Sequence, residues 1–382
     1  MRFKTKPRSL LRKFIPQNKA LAKPDYFLVA LIFIITFFGL LVLSSASSIE
    51  SYRQYKNIYY LFWHQVTNGL LPGVILFLIL SCFDYKKLEK YTVWFFIISV
   101  FMLILVFIPG VGVHYSSAKS WLNFGFFSFQ PTEVIKLLLI LSLAGWFSYR
   151  GKEMNSDFWN GLVPFTFMLV VISGLVILQP DLGTLLVIAT IAFAVYFSAG
   201  AKISHIFALL AAGVAGAVIL IISAPYRAAR LLAFLHPELD PSGICYHINQ
   251  ALLAVGSGGF FGLGFGQSQQ KFAYLPEVIG DSIFAIVAEE LGFLFATALI
   301  ILFLLLAWRG FLLVQSAPDD YARYIIIGII SWFVLQAFFN IAAMIGLIPL
   351  TGIPLPFISY GGTALASCLA ASGILINISR QS

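Results

Sequence analysis

Ten apolar segments of spanning length recur along this chain, at about residues 27–46, 61–82, 92–109, 132–149, 161–178, 182–199, 204–223, 282–307, 322–345 and 360–378. A helix rises about 1.5 Å per residue and a bilayer's hydrocarbon core is about 30 Å thick, so segments of this length can cross it. In lipid every backbone N–H and C=O must be satisfied internally, which leaves helices or closed barrels. The segment lengths select helices. The expectation is an all-α polytopic membrane protein of about ten transmembrane helices. Composition agrees, at 60% hydrophobic and 10% charged residues against about 25% charged in a soluble domain.

Ten crossings put both termini on one side, and the basic residues say which. Loops on the side of the termini carry 17 Lys or Arg, eight of them in the tail before Tyr26, and the opposite loops carry six. Cytoplasmic loops concentrate Lys and Arg, so both termini are expected in the cytoplasm. This bias also explains the net charge of +8 without a nucleic-acid partner. The organisation expected is a basic cytoplasmic tail (1–25) and one transmembrane domain (26–379). Outer loops lie at about 110–131 and, between the seventh and eighth segments, about 224–281. The Ser44–Ser48 stretch has a faint likeness to a signal-peptidase site, but so long a first segment followed by further spans predicts an uncleaved anchor. The cytoplasmic loops are too short for a nucleotide-binding domain, and the chain has no Gly-rich phosphate loop ending in Lys-Ser or Lys-Thr. Cys82, Cys245 and Cys368 lie far apart without metal-ligand spacing, which predicts neither disulfides nor a zinc site. Chemistry without ATP, on the outer face, is the expectation.

Carboxylates inside apolar segments are costly, and raise a functional hypothesis by default. Asp281 stands where a polar loop enters the eighth segment, and Glu289 and Glu290 lie deeper in it. Continuous helical phase from Asp281 puts Glu289 about 80° and Glu290 about 180° around the axis, so the three form no single cluster. Asp281, nearest the outer loops, is the acid–base candidate, and Glu290 is expected to pair with a neighbouring helix or cap a loop. Glu133 and Lys136 share a helix face three residues apart. They either lock two helices together or face a wet cavity where Lys136 meets an anionic head group. Trp121 and its aromatic neighbours suit an interfacial belt.

Asp181 suits a helix cap. Arg227 and Arg230, three apart after Pro225, suit either lipid head groups or phosphate and carboxylate oxygens. The glycine-rich stretch 256–266 follows no predicted strand and predicts close backbone approach or a re-entrant turn. The stretch 349–363, with prolines at 349, 354 and 356, cannot be regular helix and reads as a pocket wall or a broken helix entry.

Taken together these stretches resemble the shape, elongation, division and sporulation family, the FtsW/RodA/SpoVE group. The matching motifs are Trp121 with Gln130-Pro-Thr-Glu133 and Lys136, Gln179-Pro-Asp-Leu-Gly-Thr184, Tyr226-Arg with Arg230-Leu-Leu-Ala-Phe-Leu-His-Pro, and Gly258-Gly-Phe-Phe-Gly-Leu-Gly. The series continues through Tyr274-Leu-Pro-Glu277, Asp281 with Ile283-Phe-Ala, Glu289-Glu-Leu-Gly and Gly352-Ile-Pro-Leu-Pro-Phe-Ile-Ser-Tyr-Gly-Gly. The overall pattern is closer to the cell-division branch, FtsW, than to RodA.

The resemblance implies an inverting peptidoglycan glycosyltransferase that polymerises lipid II on the outer face of the bacterial cytoplasmic membrane, at the division septum. It implies Asp281 as general base and as ligand of a divalent cation, Mg or Mn, with no nucleotide. Substrate contacts would come from Lys119, Trp121, Gln130, Glu133, Lys136, Arg227, Lys271, Glu277, Ser359 and Tyr360. Implied partners are lipid II, undecaprenyl-pyrophosphate-linked glycan, a class B penicillin-binding protein, and other divisome or elongasome proteins. A lipid II flippase and a non-catalytic division scaffold are the alternatives. Three positions depart from the family's usual pattern: Ile279-Gly-Asp-Ser282 stands where His-Thr-Asp-Phe is common, Ser120 follows Lys119 where Arg usually precedes Trp121, and His247 replaces Gln.

Overall fold

The computed structural model describes residues 23–110, 112–115, 118–123, 128–236, 239–240 and 243–381, with the side chains of 113–115, 118, 119 and 226 set aside. All ten apolar segments form helices. Eight are long and apolar enough to cross a membrane: α1 (Tyr26–Ala46), α3 (Tyr60–Cys82), α5 (Pro131–Asn155), α6 (Phe158–Ile177), α8 (Ile203–Ile222), α11 (Ile283–Gln315), α12 (Asp320–Met344) and α13 (Gly362–Ser379). The other two, α4 (Thr92–Leu105) and α7 (Leu182–Ser198), are shorter apolar helices. Three further helices are α2 (Ser48–Tyr55), α9 (Pro225–Leu235) and α10 (Tyr246–Ser257), and a single turn spans Lys86–Glu89. The chain is a multi-pass helical membrane protein.

Local sequence sets the helix starts. Asp25 caps α1 by accepting from Leu28 N at 3.1 Å, and Asp319 caps α12 by accepting from Ala322 N at 2.8 Å. Asp181 accepts from Thr184 N at 2.9 Å and from its hydroxyl at 2.7 Å, which is the expected cap of α7. Pro131 opens α5, where its missing N–H costs nothing. The centre of the bundle is α5, α12, α13 and the first turns of α11, with α13 against α3 and α11 against α12. At the rim, α8 buries no residue.

An element the sequence reading missed sits in the loop after α4. Strands β1 (Gly112–Tyr115), β2 (Ala118–Asn123) and β3 (Ser128–Phe129) form an antiparallel sheet in the order β1-β2-β3, with a bulge between Val113 and His114. The fold is therefore helical with this one small sheet among the described residues.

The loops gather at opposite ends as the parity of crossings requires. Gln130 N donates to Thr363 Oγ1, and Gly183 packs against the Thr351 carbonyl, so the connections expected outside meet at one end. At the other end Arg309 pairs with Asp25, Tyr85 OH donates to Asp319 Oδ2 at 2.7 Å, and Ser148 donates to Glu89.

The eighth segment is not one continuous helix. Gly292 lies at φ 77°, ψ −175°, and breaks α11 nine residues from its start. The glycine-rich stretch fills the break: Leu263 N and Gly264 N donate to the carbonyls of Glu289 and Glu290 at 2.9 and 3.0 Å, while Phe293 N and Leu294 N donate to Gly259 and Phe260. Backbone groups freed in a spanning segment must find such partners. A Cβ on Gly262 would stand 2.2 Å from the Glu290 carbonyl oxygen, so only glycine permits this approach.

Candidate functional site

The break leaves a short rigid helical piece, Ile283–Leu291, whose N-terminus faces the loop end of the bundle. Asp281 sits two residues before it, half-buried. Three successive carbonyls leading to this residue are each held. Tyr360 N donates to Ile279 O at 2.8 Å, Ser359 Oγ to Gly280 O at 2.6 Å, and Asn340 Nδ2 to Asp281 O at 2.6 Å. The holders are themselves fixed. Ser359 Oγ accepts from Leu355 N at 2.7 Å, Asn340 Nδ2 also donates to Ile353 O at 2.8 Å, and Gln65 Oε1 accepts from Gly361 N at 2.9 Å. Irregular backbone is tolerated at membrane depth only when such donors satisfy it. The proline-rich stretch is thus a clamp on the Asp281 backbone.

Asn340 is buried, and both of its amide hydrogens are used. Asn340→Leu would strand two carbonyls, at about 1–3 kcal/mol for each buried unsatisfied group. Thermal unfolding in detergent should show a melting point several degrees lower. Wild-type melting would mean that the clamp contributes nothing.

Desolvation dominates the electrostatics of Asp281 and raises its carboxyl to about 6, against smaller lowering contributions from the Ser282 hydroxyl and the Arg230 guanidinium. Glu277 lies close by at φ 51°, in the left-handed region, within a turn closed by Gly280 N and Ser282 N donating to its carbonyl. Its side chain is also raised, first by desolvation and then by repulsion from Asp281. His247, from α10, is pushed down to about 4 by burial and is therefore neutral near pH 7. Its Nε2 lies 2.7 Å from Ser282 Oγ.

The structure brings Asp281, Glu277, Ser359 and Tyr360 together, and Tyr360 OH meets His64 Nδ1 at 2.8 Å. Gln130 reaches the end of the same segment through Thr363. Trp121 lies half-buried on β2; Lys119 shares that strand, and its side chain lies outside the described set. Arg227 is half-buried on α9 and donates to Leu220 O at 3.0 Å.

Two of the expected contacts to an anionic head group are turned inward. Lys271 is buried, with Nζ 2.9 Å from Glu290 Oε1, 3.1 Å from Ser45 Oγ and 2.6 Å from Gly266 O. Lys136 is only 2% exposed, 2.8 Å from Glu133 Oε1 and 2.9 Å from Gln336 Oε1, with its ammonium over the Trp332 ring. A buried ammonium needs such partners, since an unpaired one costs several kcal/mol. The Glu133–Lys136 pair thus locks α5 to α12, and Gln336 Nε2 passes the support to Pro354 O at 2.7 Å. Glu290 pairs as expected, and Glu289 accepts from Ser268 Oγ and from Gln269 N at 2.8 Å.

Sequence reasoning missed Gln65, Gln336, Asn340 and the His247–Ser282 pair. The signal for the first three was available: each is a polar amide within an apolar segment, where it requires a partner.

A family model described as "Cell cycle protein", for the FtsW/RodA/SpoVE group, matches residues 25–382. The chain is 40% identical over 359 residues to Stage V sporulation protein E of Bacillus subtilis (strain 168), covering 94% of this chain and 98% of that protein. It is 35% identical over 360 residues to the probable peptidoglycan glycosyltransferase FtsW of Trichlorobacter lovleyi, covering 94% of each. Among solved structures, a chain from a peptidoglycan synthase complex studied for coordination of polymerization and crosslinking superposes with TM-score 0.76 at 27% identity, covering 94% of this chain and 98% of that one. The crystal structure of the Thermus thermophilus rod shape determining protein RodA superposes with TM-score 0.69 at 26% identity, covering 96% and 99%.

Proposed function

This chain belongs to the FtsW/RodA/SpoVE family, and from that premise we propose that it is a peptidoglycan glycosyltransferase that polymerises lipid II on the outer face of the bacterial cytoplasmic membrane. The observation that carries the reading is Asp281: a desolvated carboxylate near neutral pKa, on a backbone held at three consecutive carbonyls. A general base works best when its pKa lies near the operating pH, and positional precision is what such a clamp supplies.

In the proposed reaction Asp281 takes the proton from the 4-hydroxyl of the acceptor sugar. The oxygen then attacks the anomeric carbon of the growing strand's terminal sugar, with inversion. The C1–O bond to the lipid breaks, and undecaprenyl pyrophosphate leaves with the electron pair. Arg227 and Arg230 on α9 and Lys119 on β2 are the cations proposed for that pyrophosphate. Among the described residues no three His, Cys, Asp or Glu side chains gather. Asp281 and Glu277 would be the protein's share of a divalent cation that keeps waters or phosphate oxygens for its other positions. Such a cation would supply charge neutralisation for the leaving group.

A class B penicillin-binding protein is the proposed partner, in keeping with the synthase complex among the structural relatives. Septal, division-type synthesis is the proposed setting, since the curated relatives include SpoVE at 40% identity and an FtsW at 35%.

The test is labelled lipid II given to purified protein with its partner transpeptidase, and products resolved on a gel. A ladder of glycan polymer is expected. Lipid scrambling in vesicles without polymer would assign transport instead, and neither activity would leave a scaffold. The rate should fall as pH drops through about 6, because protonation of Asp281 removes the base. A rate flat from pH 7 to 5 would contradict that titration.

A further inference from the structure

The segment around Asp281 and the helix α10 meet side chain to side chain at the residue next to the proposed base. His247 Nε2 lies 2.7 Å from Ser282 Oγ, and Ser282 is fully buried. The same hydroxyl lies 2.8 Å from Pro276 O and 3.4 Å from Asp281 Oδ1. A serine hydroxyl has one proton to give and two lone pairs to receive. When His247 donates from Nε2, the serine keeps its proton for Pro276 O or for the Asp281 carboxylate. Without His247 the buried oxygen loses its donor, and the rotor that faces Asp281 is no longer fixed.

We propose that His247 is a positioning residue for Asp281, acting through the Ser282 hydroxyl. The inference rests on the reading of Asp281 as the base. α10 is suited to the role because it packs on α11, with Ala251 and Ala254 buried in the main core, so the imidazole is presented from a fixed surface. Gly258, just past the end of α10, comes so close to the Ala288 carbonyl that a Cβ there would overlap it. The contact therefore joins two elements that cannot slide apart easily. Burial outweighs the charged groups around the imidazole, Glu277 and Arg230, which act in opposite senses on it, and leaves it a neutral hydrogen-bond donor.

The experiment compares steady-state polymerisation of lipid II by His247→Ala, Ser282→Ala, the double variant, His247→Gln and Asp281→Asn, each with the partner transpeptidase. Each single alanine variant should lower kcat about tenfold or more, as small misplacements of a reacting group do, with KM for lipid II unchanged. The double variant should be no slower than the slower single, because both changes remove one interaction. His247→Gln keeps an N–H donor and should recover most of the rate. If His247→Ala does not fold, a slow Ser282→Ala beside a fast His247→Gln still supports the proposal. Effects that multiply in the double variant, that fall on KM, or that glutamine does not rescue would overturn it. Asp281→Asn separates the two readings. Wild-type polymerisation by Asp281→Asn would sink the base itself, whereas its inactivity beside wild-type rates for His247→Ala and Ser282→Ala would sink only the positioning role.

Discussion

Lys271→Met is expected to destabilise the protein by about 3–5 kcal/mol, the usual cost of removing one partner from a buried ion pair. Glu290 is 3% exposed and Lys271 6%, so the remaining carboxylate would face neither water nor a cation. Ser45 Oγ at 2.7 Å and Ser268 N at 3.4 Å still donate to it, but neither carries charge. The damage would also travel. Lys271 ties the loop 258–282 to α1 through Ser45 and to α11 through Glu290, and that loop carries Glu277 and Asp281. Thermal unfolding in detergent should show a large fall in melting point for Lys271→Met and for Glu290→Met. The double variant should lose less than the two singles added together, since it leaves no unpaired charge. Strict additivity would mean that the pair is not coupled.

Much of the bundle was legible because lipid imposes one rule on every segment. Apolar length located ten segments that are helical, eight of them long and apolar enough to cross a membrane, and local chemistry placed starts such as Pro131 and the Asp181 cap. The close approach of the glycine stretch was also foreseen, since its many glycines admit backbone contacts that side chains forbid. Its target was not legible. The helical-phase reading of Asp281, Glu289 and Glu290 assumed a helix running through Asp281, whereas α11 begins at Ile283 and breaks at Gly292. A single glycine inside an apolar segment does not announce a break, because the conformation depends on what donates to the freed carbonyls. Here the donors are Leu263 N and Gly264 N, far enough back in the chain to be invisible to any local window.

The site divides along the same line. Asp281 stood out as a carboxylate at the edge of an apolar segment, a property of its neighbours in sequence. The inward turn of Lys136 and Lys271 depends on Gln336 and Ser45, brought from other helices. Local charge spacing found the Glu133–Lys136 pair but could not say which way it faced. The clamp formed by Tyr360, Ser359 and Asn340 is a tertiary property altogether. What sequence did offer was amides inside apolar segments, of which Gln65, Gln336 and Asn340 hold irregular backbone.

Asp281→Asn is expected to abolish polymerisation while leaving the fold intact. Loss of a positioned general base costs about 10²–10⁴ in rate, and asparagine cannot accept the sugar's proton. The folded carboxyl is raised from 3.8 to about 6. Stability associated with its protonated form is therefore full below about pH 4 and lost as pH rises through about 6. At pH 7 the ionised aspartate costs stability and the neutral amide removes that cost, so the variant is expected to keep its fold, which its melting point checks.

The decisive measurement is accordingly a side-by-side gel of glycan products from labelled lipid II, with wild type and Asp281→Asn each purified with the same transpeptidase and matched for melting point. Polymer from the wild type and none from the folded variant is the predicted result. Polymer of equal length and yield from both would contradict Asp281 as the base.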